Sequence, residues 1–324
     1  KASVLAENTP MLEIFDHSGF STSRTLDDGV YYITLDLMEQ EEFLKRQSFR
    51  EHVARAAGVR RLLSPESVAV VGASRDPQSV GGAVFRNLLH GGFQGVVFPV
   101  NPNAKSIAGV MAYPSIDDVP ASVDLAVIVV PARFVNDVVD QCGKKGVKGI
   151  VIISAGFGEA GSEGKERERQ LKEKVFSYGM RLIGPNCLGI INTDPAVRIN
   201  ATFSPITSPS PGTISIGSQS GALGLALLDY ADKMNLGIRS FVSIGNRVDI
   251  SSNDLMSYWE DDPDTRAMAL YLESFGNPRR FSRIARRVAR KKPIIAVKAG
   301  KSEVGARAAS SHTGALAAAD VAVD

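Results

Sequence analysis

The sequence predicts an α/β protein made of two tandem doubly wound parallel-sheet domains, preceded by a short remnant of another domain. The candidate strands are continuous apolar runs rich in Val and Ile, as in sheets that are covered on both faces. These runs alternate with helical segments, which is the pattern of parallel βαβ units. A stretch rich in Pro and Ser at residues 204–211 separates two such series.

The region before the first series has a different pattern. Residues 11–15 form a short apolar helical segment, residues 29–37 alternate as a half-buried strand does, and residues 39–61 are charged and helical in pattern. The chain begins without Met and ends within a helical pattern, so we expect a piece of a longer polypeptide. The expected organisation is a C-terminal remnant of another domain at 1–40, a helical connector at 41–62, one α/β domain at 63–186, and a second at 187–324 that is truncated at its C-terminus.

Each α/β series has its own strands and helices. For the first series we predict strands at 68–71, 95–100, 125–130, 149–154 and 180–183, and helices at 82–89, 132–145 and 163–178. For the second we predict strands at 213–216, 239–244, 267–272 and 293–298, and helices at 221–233, 252–260 and 277–292. Ligands of such sheets bind beyond the carboxyl ends of the strands.

Composition excludes several classes of protein. A net charge of +2 gives no bulk attraction to nucleic acid or to a membrane surface. No apolar run approaches the roughly 20 residues of a membrane span, and no signal peptide is visible. Two cysteines, Cys142 and Cys187, form no disulfide framework and suit a reducing compartment, so we expect a cytoplasmic protein. Cys187 could be a catalytic thiol, but a packed loop cysteine is the simpler interpretation.

The first strand-to-helix turn, Gly72-Ala73-Ser74, resembles a nucleotide-binding glycine turn but lacks the G-x-G-x-x-G spacing. The second strand ends at Asn101 and not at the Asp or Glu that would bind a ribose hydroxyl. NAD is therefore disfavoured, whereas coenzyme A remains open. Lys105 could reach a phosphate, or it could be an ordinary solvated lysine.

Two further strand ends carry candidate groups. Ser220 and Gly221 stand where a helix begins, so their backbone amides could cradle an anion; the alternative is an ordinary serine cap. Glu273 ends a predicted strand and could hold an imidazole N–H, or it could be a solvated charge.

His312 lies among small residues, after the strand predicted at 293–298 and before a helical pattern that starts at Gly314. A neutral imidazole beside a helix N-terminus could carry a phosphoryl group, and the alternative is an inert capping segment. The other histidines, His17, His52 and His90, have no Cys or His partners at metal spacing, so we predict no metal site.

Nine motifs in one order carry a resemblance that extends from Leu62 to the end of the chain. They are VGAS, VNPNAK, VVPARF, SAGF, IGPNCLG, SQSGALG, SIGNRVDIS, YLESFG and SSHTGA. Together they resemble the NDP-forming acyl-CoA synthetases, meaning the succinyl-CoA synthetase α subunit and ADP-forming acetyl-CoA synthetase. The resemblance implies a CoA-binding Rossmann domain followed by a flavodoxin-like ligase domain.

The resemblance also implies roles for individual residues. His312 matches the phosphorylated histidine, and Glu273 matches the carboxylate that supports it. The positions that match CoA contacts are Gly72, Ala73, Ser74, Lys105, Val130, Pro131 and Ala132, and those that match the phosphate-binding helix start are Ser220 and Gly221.

The implied substrates are a CoA thioester, phosphate and ADP. Phosphate would attack the thioester, His312 would take the phosphoryl group, and ADP would receive it. ADP or ATP with Mg²⁺ would bind an ATP-grasp domain or subunit outside this chain, and we expect an oligomer.

The N-terminal region resembles the end of a GNAT acetyltransferase domain at Asn8, Met11-Leu12, Gly19-Phe20 and residues 30–37. The pyrophosphate loop of that fold is absent from this sequence, so protein lysine substrates would be reached only through a GNAT domain outside the chain. The combination resembles lysine acetyltransferases of the Pat type, in which a synthetase-like part is fused to a GNAT domain.

Two functions from different classes remain. One is the CoA-binding and phosphohistidine portion of an ADP-forming acyl-CoA synthetase. The other is a non-catalytic, acyl-CoA-sensing regulatory module of a lysine acetyltransferase. Both predict CoA binding and they differ at His312, while an NAD(P)-dependent oxidoreductase is a weaker third candidate.

Overall fold

A computed structural model describes residues 1–16, 20, 22–35, 41–206 and 209–299, with side chains from residue 46 onward in the helix that begins at residue 41. The chain forms two compact units, unit 1 over Lys1–Arg55 and unit 2 over Ala56–Asp324.

Unit 1 contains a three-stranded antiparallel sheet and a short helix. Its elements are β1 (Ala2–Leu5), α1 (Thr9–Asp16), β2 (Thr22–Asp27), β3 (Val30–Leu35) and the start of α2 (Glu41–Leu63). The sheet order is β1-β3-β2. Asp28 and Gly29 both have positive φ, at 45° and 75°, as a two-residue hairpin turn between β2 and β3 requires.

Unit 2 begins with an all-parallel sheet whose strands are buried on both faces. Val68 and Val70 pack into one core cluster and Ala69 and Val71 into the other. The elements are β4 (Ser67–Val71), α3 (Val80–His90), β5 (Val96–Val100), the short hairpin β6 (Ser106–Ile107) and β7 (Val110–Met111), β8 (Leu125–Ile128), α4 (Ala132–Lys145), β9 (Gly149–Ile152), α5 (Ser162–Ser177) and β10 (Arg181–Ile183).

The strand order in this sheet is β10-β9-β8-β4-β5. The chain therefore adds β5 on one side of β4 and then adds β8, β9 and β10 in turn on the other side, so the direction of winding reverses between β4 and β8. In an open α/β sheet, the carboxyl ends of the two strands at such a reversal flank a crevice that serves as the binding site. Here those ends are followed by Gly72 and by Val130-Pro131.

The second sheet of unit 2 is mixed. Its elements are β11 (Gly189–Asn192), β12 (Ile199–Thr202), β13 (Pro211–Ser218), α6 (Gly221–Lys233), β14 (Ile238–Ser243), α7 (Ser252–Asp261), β15 (Ala267–Leu272), α8 (Pro278–Val288) and β16 (Ile294–Lys298). The order is β12-β11-β14-β13-β15-β16, and the four strands from β13 onward are parallel to one another. The winding reverses between β13 and β15, which are followed by Ser220 and Glu273.

The predicted α/β class with two successive sheets is confirmed. The hairpin β11–β12, which pairs antiparallel at the edge of the second sheet, was not expected from the sequence. The domain limits 1–40, 41–62, 63–186 and 187–324 stay predictions.

Polar contacts join the two sheets of unit 2. The Asn87 amide on α3 donates to the carbonyls of Thr202 and Ser204, at 2.8 Å each. The Arg181 guanidinium forms a two-bond ion pair with Asp249, at 2.8 and 3.1 Å. One apolar cluster also runs from α3 and β4 to the core around Trp259. The two sheets therefore share a core.

Candidate active site

The turn after β4 is shaped by close approaches of the main chain. Gly72 has φ +94°, and a Cβ there would lie 2.7 Å from the Val129 carbonyl oxygen. A Cβ on Gly81, in the first turn of α3, would lie 2.0 Å from the Gly72 carbonyl oxygen. Both positions therefore require glycine, and α3 begins directly against the turn.

The rest of this turn is held by amide and hydroxyl groups. Ala73 is buried, and its carbonyl accepts a hydrogen bond of 2.7 Å from the Asn101 amide. The Ser74 hydroxyl accepts from the Asp76 N–H at 3.1 Å. Asn101 therefore fastens the turn at the place where an NAD-binding domain carries a ribose-binding carboxylate.

The other predicted CoA positions lie at the ends of β5 and β8. Val130 and Pro131 line a cleft, and Pro131 is the N-cap of α4, which starts at Ala132. The Ser154 hydroxyl donates to the Val130 carbonyl at 2.5 Å. Lys105 is exposed in the loop after β5, with its carbonyl bonded to the Ala112 N–H at 3.0 Å.

In the second sheet, Ser220 is the N-cap of α6. Its hydroxyl accepts from the Leu223 N–H at 3.3 Å, and the Ser218 hydroxyl donates to its carbonyl at 2.6 Å. A Cβ on Gly221 would meet nothing nearer than 3.7 Å, so the first helical turn is open. The helix N-terminus with its backbone amides favours an anion here.

Glu273 follows β15 directly and is 7% exposed. Its backbone N–H donates to the Gln219 side-chain oxygen at 2.8 Å. Burial lowers the pKa of the nearby Arg247 guanidinium below its ordinary value, and the charge of Glu273 acts on it in the opposite direction. The Arg247 guanidinium donates to the carbonyl of Ser274, the residue after Glu273, at 2.8 Å.

A cleft of about 810 Å³ extends from the end of β8 in the first sheet to the ends of β13 and β15 in the second. Its apolar walls are Val80, Val129, Ile153, Leu188, Phe203 and Leu225. Its polar groups include Ser154, Asn186, Gln219, Ser220 and Glu273. The structure thus brings Val130, Pro131, Ser220, Gly221 and Glu273 to one cleft, whereas Gly72, Ala73, Ser74, Lys105 and Ala132 are not among its lining residues within the described ranges.

Asn186, which lines the cleft, donates to the side-chain oxygen of Asn246 at 3.3 Å, and Asn246 belongs to a network that crosses between the two sheets. The Asn246 amide donates to Glu159 at 2.5 Å and to Glu168 at 2.8 Å. Burial by itself would raise the pKa of Glu159, but hydrogen bonds from Asn246 and from the N–H groups of Gly156 and Phe157 hold that pKa below its ordinary value. The Glu159 carboxylate therefore stays charged, and it holds the backbone at Gly156 and Phe157 through these hydrogen bonds.

Cys187 lines the cleft, but its thiol donates to the Ile152 carbonyl at 3.3 Å. Burial raises its pKa to about 12. A thiol with that pKa is protonated at neutral pH, so it is a packed loop residue and not a nucleophile.

His312, with the whole SSHTGA motif, lies outside the described residues. Within the described ranges, no group of three or more His, Cys, Asp or Glu side chains could hold a metal ion. No helix in the same ranges is both long and apolar enough to cross a membrane.

Sequence reasoning did not single out Gln219, Asn246 or Arg247. All three letters stand inside motifs that were recognised, SQSGALG and SIGNRVDIS. Their partners are 27 to 87 residues away in the chain, so spacing gave no signal for the contacts.

Two family models match the chain. A CoA-binding domain model matches residues 66–193, and a model of the flavodoxin domain like that of succinyl-CoA ligase matches residues 211–324.

The relatives agree with these models. The α subunit of ADP-forming acetate–CoA ligase II from Pyrococcus furiosus is 50% identical over 78% of this chain and 54% of its own length. The α subunit 2 of ADP-forming succinate–CoA ligase from Archaeoglobus fulgidus is 30% identical over 63% of this chain and 70% of its own length.

A solved acetyl-coenzyme A synthetase 1 from Ca. Korarchaeum cryptofilum, in complex with phosphate and ADP, superposes with a TM-score of 0.76. It is 48% identical, over 81% of this chain and 56% of that one. The chain thus spans about half the length of the acetate-specific relative and of this solved structure. With its CoA-binding domain followed by a ligase-type flavodoxin domain, the chain belongs to the α-subunit family of the NDP-forming acyl-CoA synthetases.

Proposed function

We propose that this chain is the CoA-binding and phosphohistidine portion of an ADP-forming acyl-CoA synthetase. The observation that carries the proposal is the single cleft in which the end of β8 meets Ser220, Gly221 and Glu273. A CoA thioester and a phosphate group would have to meet in such a place for one to attack the other.

The proposed reaction has three steps. Phosphate attacks the thioester carbonyl, the C–S bond breaks, and acyl phosphate and CoA are formed. An imidazole nitrogen of His312 then attacks phosphorus, the P–O bond to the acyl group breaks, and the carboxylic acid leaves. Finally the β-phosphate oxygen of ADP attacks the phosphohistidine, the P–N bond breaks, and ATP is formed. Every step is reversible.

The proposed residue roles come from the family resemblance, and the shared cleft supports them for Val130, Pro131, Ser220, Gly221 and Glu273. Gly72, Ala73, Ser74, Lys105, Val130, Pro131 and Ala132 would bind CoA. Ser220 and Gly221 would hold the phosphoryl group at the N-terminus of α6. Glu273 would accept a hydrogen bond from one imidazole nitrogen of His312 and so orient the other nitrogen for attack.

The rest of the cycle would need a partner. ADP or ATP with Mg²⁺ would bind an ATP-grasp domain or subunit, because the phosphoryl group must leave this chain to reach the nucleotide. Acetyl is the first acyl group to test, since relatives that are 50% and 48% identical are an acetate–CoA ligase subunit and an acetyl-coenzyme A synthetase. We also propose a cytoplasmic, oligomeric enzyme with the domain limits predicted from the sequence.

The test is phosphorylation of the full-length parent by labelled ATP with Mg²⁺. Wild type should take up an acid-labile, base-stable label, and His312→Ala should abolish it. His90→Ala, which changes an exposed histidine at the end of α3, should label like wild type. If wild type takes up no such label, the synthetase proposal is wrong.

A second candidate is the regulatory part of a Pat-type lysine acetyltransferase, joined to a GNAT domain. Unit 1 favours it, because the order β1-α1-β2-β3 follows the resemblance to the end of a GNAT domain. Leu5, Ile14 and Leu26 are 55%, 62% and 55% exposed, which suits a part of a larger domain. The test is acetylation of protein lysines by the full polypeptide with acetyl-CoA, which should survive His312→Ala if this part only senses CoA.

A further inference from the structure

We propose that Gln219 is a positioning residue that couples Glu273 to the N-terminus of α6. The first residues of that helix, Ser220 and Gly221, are the proposed phosphate site and are called the phosphate seat below. The inference rests on the proposed function and deepens it, since it assigns a device that sets the geometry of phosphoryl transfer. Gln219 lines the same cleft, and we assign its effect to the hydrogen bonds that it makes to the segment carrying Glu273.

The Gln219 side chain clasps the backbone just after β15 with three hydrogen bonds. Its Oε1 accepts from the N–H of Glu273 at 2.8 Å and from the N–H of Ser274 at 2.9 Å. Its Nε2 donates to the Ser274 carbonyl at 2.8 Å. One amide therefore satisfies both donors and one acceptor of the segment that carries the carboxylate.

The other end of the same residue belongs to the phosphate seat. Gln219 immediately precedes Ser220, the N-cap of α6, and its own N–H donates to the Tyr271 carbonyl at 3.2 Å. The seat and the carboxylate come from neighbouring strands 54 residues apart in the chain. Through this clasp the segment that begins α6 is hydrogen-bonded to the backbone that carries Glu273.

The surroundings make the clasp hard to replace. Gln219 is 6% exposed and Glu273 is 7% exposed, so water offers little substitute for a lost bond. The Arg247 guanidinium also donates to the Ser274 carbonyl, at 2.8 Å. The backbone at Ser274 is thus fixed from two sides, while the N–H of Glu273 is bonded to Gln219.

The test compares two variants in the full-length parent. Gln219→Leu removes all three bonds. Gln219→Glu keeps an acceptor for both N–H groups but loses the donor to Ser274. Gln94→Glu is the matched control, because the Gln94 amide donates within its own exposed loop, to the Gly92 carbonyl at 2.7 Å.

We expect kcat for the phosphorylation of His312 to fall about tenfold or more in Gln219→Leu. A decrease of this size is typical when a partner that orients a functional side chain is removed. Gln219→Glu should also be slower than wild type, because it loses the donor to Ser274 and places a second carboxylate beside Glu273. With acetyl-CoA and phosphate as substrates, KM for acetyl-CoA should not change in either variant, and Gln94→Glu should match wild type. The final amount of label per folded chain should also stay the same, since only the rate depends on orientation.

A kcat within twofold of wild type in both folded variants would overturn the inference. So would a rise in KM for acetyl-CoA at unchanged kcat, because Gln219 would then shape the CoA site. If Gln219→Leu does not fold, Gln219→Glu alone decides by the same criteria. Absence of label in wild type would instead contradict the proposed function, so the two failures are distinguishable.

Discussion

Unit 2 has a first half around the sheet that begins with β4 and a second half around the sheet that begins with β11, and the two halves differ in what fills their interiors. Among the described residues of unit 2, all the buried polar or charged side chains but two lie in the second half, and the exceptions are Ser67 and Asn87. The first half packs apolar strands such as β4, β8 and β9. The second half carries buried carboxylates, hydroxyls and amides between its strands and helices.

This difference matches the way each half contributes to the candidate site. In the first half, glycines let the main chain approach itself closely at the turn after β4, as at Gly72 and Gly81, and the backbone shapes the surface there. In the second half, a side-chain clasp at Gln219 and a cap at Ser220 set the site. A shaped surface suits a long ligand such as CoA, whereas fixed hydrogen bonds suit a small charged group.

The largest expected effect is on stability, in the polar half. The Arg239 guanidinium pairs with the Asp262 carboxylate at 3.0 Å. The two side chains are 9% and 7% exposed, respectively. Arg239→Leu should lower the free energy of unfolding by about 3–5 kcal/mol, because it leaves a buried carboxylate unpaired. Chemical denaturation measures this. Arg169→Leu, at an exposed site, should leave the midpoint nearly unchanged. Equal losses in both variants would contradict the comparison.

The next effect is on catalysis. Glu273→Gln should slow phosphorylation of His312 about 100-fold, because an amide orients the imidazole poorly and brings no negative charge. Single-turnover labelling of the parent measures the rate. The affinity for CoA should be retained, and Glu66→Gln, at an exposed site beside β4, should behave as wild type. A wild-type rate in Glu273→Gln would remove this residue from the mechanism.

A smaller effect tests the first half of unit 2, where the backbone shapes the proposed CoA surface. Gly72→Ala should weaken CoA binding about tenfold, equivalent to ~1.4 kcal/mol, because the added Cβ meets the Val129 carbonyl and strains a positive φ. Gly109→Ala is the control, since Gly109 has φ +82° but nothing within 4 Å. Calorimetric titration with CoA separates a close approach from backbone strain alone. Similar weakening in both variants would mean that strain, not shape, matters.

The smallest effect concerns the cysteine where the two halves meet. Burial raises the pKa of Cys187 to about 12, so the thiol is protonated at pH 8. Because the pKa lies above the working range, reactivity should appear only as pH rises towards it. Iodoacetamide at pH 8 should leave activity unchanged and label the residue only after unfolding. Rapid alkylation of the native enzyme with loss of activity would revive a catalytic thiol.

The same contrast explains how far the sequence could predict the molecule. In the first half, apolar runs at 68–71 and 125–130 correspond to strands β4 and β8, because both faces of those strands are buried. In the second half, β12 reads Ile-Asn-Ala-Thr, whose buried polar side chains gave no strand signal. Its Asn200 and Thr202 bond to each other at 2.7 Å, a contact that composition alone does not reveal.

The site shows the same limit. Strand ends pointed to Ser220 and Glu273 because parallel strands finish at one edge of a sheet. The clasp through Gln219 joins segments 54 residues apart and depends on register between β13 and β15. Register is a property of the folded sheet, so no spacing along the chain could predict that contact.

One measurement, in which two variants are each tested with two phosphoryl donors, shows most directly whether the two halves of unit 2 form one phosphoryl-transfer site. Label on His312 is followed from two donors, labelled acetyl phosphate alone or acetyl-CoA with labelled phosphate. Gly72→Ala should be impaired only with acetyl-CoA at limiting concentration, whereas Glu273→Gln should be impaired with both donors. If Gly72→Ala is impaired equally with both donors, or Glu273→Gln with neither, the division of roles between the halves is wrong.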